Sequence, residues 1–162
     1  MPPGSRCLAL PLAFMVLAPA AAHAELGGSM AGVKADGAHI GTRIATVAMG
    51  SYSRHDITRA NGGVVREFTN AKGQVFAITW SGPGKPDLRT LLGRHFAALQ
   101  ASGQSSGSTI GRTMHSLRRP LQVSQPDLQI QTSGHMGWFS GVAFIPSLAP
   151  SGYSTSDLAQ EP

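Results

Sequence analysis

His135 has the surroundings of a candidate general base. It follows the polar run Thr132-Ser133-Gly134, and Asp127 is a carboxylate that could orient its ring. A general base needs such a partner, because the pair fixes which ring nitrogen faces the substrate proton. The competing reading is a histidine at a strand end or bulge. Asp56 and Glu67 form a second candidate pair. A hydrolase built on two carboxyls needs them to flank one cleft. If residues 59–63 close a hairpin, the two fall on neighbouring strands. Arg54 and Arg66 adjoin them, which equally fits solvated cross-strand ion pairs.

Other chemistry is thinner. Gly103-Gln104-Ser105-Ser106-Gly107 has the G-x-S-x-G spacing of a nucleophile elbow. An elbow needs a strand before the serine and a helix after it, and the flanks here are rich in Gly and Ser. His39, His55, His95, His115 and His135 show no i, i+4 pairing, and the single cysteine is Cys7. No metal site and no cofactor are therefore expected. Arg112, His115, Arg118 and Arg119 form a basic patch that could hold an anionic polymer of the cell envelope. No aromatic side chains are interleaved with it, so nucleic acid is not an expected partner.

These residues need a scaffold, and the chain begins with an address. Residues 1–24 carry Arg6, an apolar run from Leu8 to Leu17, and Ala22-His23-Ala24. That is the tripartite signal-peptide pattern, with cleavage expected before Glu25. The apolar run is too short to span a bilayer core as a helix. Cleavage leaves 138 residues with twelve Lys and Arg against eight Asp and Glu, and no cysteine. The mature chain must hold together by its core alone. It is expected to be exported, periplasmic or secreted, with no remaining membrane span.

Residues 25–38 are small and irregular and read as a flexible lead-in to a single domain over 39–162. Residues 39–48 alternate loosely and suggest a strand. Tyr52–Thr58, Val64–Thr69 and Gln74–Trp80 read as three strands of a meander. Asn61-Gly62 and Lys72-Gly73 supply turns that tolerate positive φ. Strict alternation puts Phe76, Ile78 and Trp80 on one face. Asp87 then caps a helix of roughly fourteen residues, with Leu88, Leu91, Leu92, Phe96 and Leu99 in one apolar stripe. Residues 101–119 read as a mobile, Gly/Ser-rich basic loop. Leu121–Ser124, Leu128–Thr132 and Trp138–Ile145 return to strand. Ser154 and Asp157 have the spacing of a capping box.

Several of these pieces occur in a recognisable order. Leu26-Gly27-Gly28, Tyr52, His55-Asp56 and Val65-Arg66-Glu67-Phe68 come first. Val75-Phe76-Ala77 with Trp80, then Pro86-Asp87-Leu88, Leu91-Leu92-Gly93 and Phe96, follow. Ser133-Gly134-His135-Met136, Gly141 and Pro146 close the series. The ordered set resembles a bacterial family of small exported proteins known as domain of unknown function 2844, over essentially the whole mature chain. That family carries no assigned activity, cofactor or catalytic residue, so the resemblance implies none. One departure is Gly137, where the family pattern has a basic residue.

The expected architecture is α+β: an antiparallel meander sheet of five to seven strands with one main amphipathic helix on a face. Three functions stay open. One is a non-catalytic envelope or secreted module that binds another protein or a surface polymer. Another is a small hydrolase using His135 with Asp127, or Asp56 with Glu67. The third is a binder of anionic polymer through Arg112, Arg118 and Arg119.

Overall fold

The computed structural model describes residues 25–105 and 120–160. The expected signal peptide at 1–24 and most of the expected loop, 106–119, lie outside the described residues. The fold is α+β, as the sequence predicts. Seven strands form one antiparallel sheet in the order β1-β2-β3-β4-β7-β6-β5. They are β1 (Gly41–Ala48), β2 (Tyr52–Arg59), β3 (Val64–Asn70), β4 (Val75–Pro83), β5 (Leu121–Gln125), β6 (Leu128–His135) and β7 (Trp138–Phe144). Two meanders therefore join where β4 pairs with β7. The helices are α1 (Met30–Ile40), α2 (Leu88–Leu92), α3 (Phe96–Ser105) and α4 (Thr155–Gln160).

The turns follow local chemistry. Gly62 and Gly73 sit at φ +84° and +74° in the two expected hairpin turns. Asn61 Nδ2 donates to Pro83 O at 2.6 Å, and Arg59 Nη1 donates to Gly84 O at 2.9 Å, tying the first turn to the end of β4. Met136 and Gly137 have φ +48° and +82° and close β6 onto β7 with two residues, as in a type I′ turn. β6 thus runs three residues beyond the strand expected from alternation.

The helix stripe is buried against the sheet, as its spacing predicts. Leu88, Leu91, Leu92 and Leu99 pack with Ile57, Val65, Ile78, Trp80, Ile130 and Ala143. The single fourteen-residue helix is corrected, however. Gly93, at φ +50° and ψ −124°, breaks it into α2, one 3-10 turn and α3. A Cβ at Gly93 would overlap the Glu25 side chain, so the close approach of the N-terminal segment demands glycine.

That approach also corrects the flexible lead-in. Leu26 is fully buried, and its amide donates to Leu91 O at 3.0 Å. Gly27 N donates to Val75 O, and Val75 N donates to Gly28 O. Val33 of α1 is buried in the same core. Gly-rich sequence looks irregular because its partners, Val75 and Leu91, lie far along the chain. The 101–119 loop is corrected at its start as well, since α3 continues through Ser105.

The face of Phe76 is a third correction. The β3–β4 register shifts between Phe68 and Thr69, so that Phe68 faces Ala77 and Thr69 faces Val75. Phe76 is the extra residue of this bulge. It turns away from Ile78 and Trp80 and packs on the opposite face with Phe68, Phe144 and Leu158.

Candidate binding site

The sheet faces position the residues singled out by sequence, and they separate most of them. Asp127 and His135 lie at opposite ends of β6, about 26 Å apart along an eight-residue strand. Asp127 instead accepts from Ser147 N at 2.9 Å and Ser147 Oγ at 2.7 Å. Those two hydrogen bonds pull its carboxyl below the ordinary aspartate range. The expected dyad is not assembled, because a straight strand carries its ends apart. His135 is exposed beside the β6–β7 turn.

Asp56 and Glu67 are on neighbouring strands, as expected, but point to opposite faces. Asp56 is directly opposite Arg66, and Glu67 is opposite His55. Directly opposed residues share a face and adjacent ones do not. Asp56 Oδ1 lies 3.2 Å from both Arg54 Nε and Arg66 Nε. The ion-pair reading of Asp56 therefore holds, and the shared carboxylate cleft does not. Glu67 is fully buried on the helix side.

His55 is buried on that same side. Its Nδ1 is hydrogen-bonded to Thr46 Oγ1 at 2.9 Å and its Nε2 to Thr69 Oγ1 at 3.0 Å. Burial pushes its pKa down, against a smaller upward pull from Asp56. His95, half-buried at the edge of the helix side, is also lowered by burial and by Arg94. The His55 ring, with both nitrogens taken up by threonine hydroxyls, suits a packed interior, not proton transfer to a substrate. Among the described residues, no three His, Cys, Asp or Glu converge to hold a metal ion. No described helix is long and apolar enough to cross a membrane. Arg112, His115, Arg118 and Arg119 lie outside the described residues, as do Ser106 and Gly107. Gly103 and Ser105 belong to α3, with no strand leading into them.

Two concave regions adjoin the residues named above. A groove of about 650 Å³ lies on the helix side between α2, α3 and the β6–β7 turn. Trp80, Leu88, Phe96, Leu99 and Phe139 line it. Gly103 of α3 and Pro120 form part of its wall.

The other region is a trough on the opposite face. The strand register sets a row of side chains across it: Gln122, Gln131, Val142, Thr79, Arg66, Asp56. Beside it runs a second row, Ser133, Ser140, Ser81, Val64, Thr58. Two hollows of about 490 Å³ and 180 Å³ follow these rows and share Gln131, Val142 and Thr155. Thr155 belongs to α4, so this short helix walls one side. Its start is held by the expected capping box: Ser154 N and Oγ both donate to Asp157 Oδ2, at 2.7 and 2.9 Å.

Sequence reasoning missed this trough, although a signal was present. The alternation that marks Leu128, Ile130 and Thr132 as a dry face also marks Gln129, Gln131 and Ser133 as a wet one. What could not be read was that β7 and β4 continue the wet row. A family model described as protein of unknown function (DUF2844) matches residues 22–158. No curated protein and no solved structure matches the chain.

Proposed function

This chain belongs to the family described as protein of unknown function (DUF2844), and from that premise we propose that it is a non-catalytic binding module of the cell envelope or the secreted fraction. The observation that carries the reading is the trough: a concave, polar sheet face beside Thr155 that no described element covers. Ligand sites are concave surfaces with a few convergent polar groups. The separation of His135 from Asp127 and of Asp56 from Glu67 supports binding over hydrolysis. Export rests on the sequence of residues 1–24.

Two measurements test the reading. N-terminal sequencing of the protein recovered from its host should start at Glu25; an N-terminus at Met1 would overturn export. Gln131→Arg places a long cation in the trough. This variant should fold normally and lose retention of an envelope component that the unaltered protein holds. Equal retention by both would remove the trough from the function.

A further inference from the structure

The trough has a chemical character beyond being polar. An exposed protein surface ordinarily carries about a quarter to a third of its residues as Lys, Arg, Asp and Glu. On β5, β6 and β7 the trough face presents Gln, Ser and Val, with His135 beside Trp138 at its end, and no residue of those four types. Going along the row from β5, the first charge is Arg66, already engaged with Asp56 at 3.2 Å. The face therefore offers neutral donors and acceptors at regular strand spacing. A carboxamide presents two donors and one acceptor oxygen, and a hydroxyl presents both functions. That inventory matches a ligand whose own groups are neutral, numerous and both donating and accepting.

An independent feature stands at the end of the same face. Trp138 is 55% exposed, unusual for so large an aromatic side chain. It pairs with His135 and Pro83 across the strands, and it lies two residues from Ser140 on the same side of β7. It stands beyond the two hollows of the trough and does not line the helix-side groove, whereas Phe139, pointing the other way, does. A flat amphipathic ring beside a polar row gives the C–H face of a sugar a platform while its hydroxyls meet the amides.

We infer that the trough binds a neutral polysaccharide, one sugar stacked on Trp138 and the following units hydrogen-bonded along Ser133, Ser140, Gln131 and Gln122. This inference rests on the binding reading above and specifies its ligand. An anionic polymer is disfavoured at this face because its charges would meet no Lys or Arg among the strand residues of β5–β7, whose one titratable side chain is His135 beside Trp138.

Titration with soluble neutral oligosaccharides of glucose, mannose and N-acetylglucosamine tests it, with an oligogalacturonate as the anionic comparison. The chain holds two tryptophans and Trp80 borders both the groove and the trough, so an emission change is assigned to Trp138 by its loss in Trp138→Phe, with binding itself followed by calorimetry. One neutral series should change the emission saturably, with an affinity independent of salt, because no ion pair is screened. Trp138→Ala should weaken binding about tenfold or more, and Trp138→Phe should keep most of it. Both variants should melt like the unaltered protein. Binding of the anionic oligomer alone, lost in salt, would overturn the inference, as would equal affinity of Trp138→Ala. If no neutral sugar binds while Gln131→Arg still abolishes retention of an envelope component, the ligand class falls and the trough stands. If neither binds, both fall.

Discussion

The face of the sheet that carries the trough has two halves built from the same strands. Where β4 begins, it is closed by Tyr52, Phe68, Phe76, Phe144 and Tyr153, with Leu158 of α4 buried among them at 5% exposure. Their rings meet at 5.1–6.4 Å, several edge to face. A few residues along, from Thr79 onward, the same face is open and lined by amides and hydroxyls. The difference arises from one inserted residue and one short helix. The bulge at Phe76 adds an aromatic to a face that alternation would have left smaller, and α4 settles on it. Beyond the reach of α4 the face holds only Val64 and Val142 among amides, hydroxyls and an ion pair, and the strands keep a wet surface. A stability site and a candidate ligand site can thus share strands when an element covers only part of a face.

The contrast can be broken most directly in the sealed half. Phe76→Ala should cost about 3–5 kcal/mol in chemical denaturation, because it removes the ring shared by the whole aromatic layer. A loss below about 1 kcal/mol would show that the layer does not seal. Leu158→Ala should cost about 2–4 kcal/mol, and its neighbour on the same helix, Thr155→Ala, far less. Equal effects would mean that α4 does not divide the face into two parts.

Acid should affect a different region from either half. His55 and His95, both lowered by burial, belong to the helix side. Their native pKa values lie below the unfolded value near 6.5, so the unfolded chain binds more protons in the window just beneath it. Their contribution is complete above that pH and is lost as pH falls through the depressed native values. Thermal melts should show a midpoint that drops on acidification below about pH 6.5. A flat profile would contradict the burial of both rings. Gln131→Arg, in the open half, should leave that profile unaltered and change stability by less than about 0.5 kcal/mol. A larger loss there would mark the trough as part of the core.

Much of the scaffold was legible before the structure. Asn61-Gly62 and Asn70-Ala71-Lys72-Gly73 marked their turns, because positive φ is a local demand. Leu88, Leu91, Leu92 and Leu99 marked the dry side of α2 and α3 by spacing alone. Ser154 and Asp157 marked the start of α4. The site was much less legible. His135 and Asp127 looked like partners because sequence distance says little about where a strand's two ends lie. Asp56 and Glu67 looked like a pair because neighbouring strands suggest contact, whereas side-chain parity decides it.

Residue order alone determined the signal-like pattern of residues 1–24, most strand segments, the apolar stripe of α2 and α3 and the hairpin turns, since each depends on neighbours within a few positions. Tertiary structure decided the rest. It buried Leu26 against Leu91, broke the helix at Gly93 where Glu25 approaches, and moved Phe76 to the other face. It also set β4 beside β7, which alone joins Gln131 and Gln122 to Thr79 and Arg66 in one row. These are contacts between residues far apart in the chain, and no local period encodes which distant backbone will supply the matching hydrogen bonds.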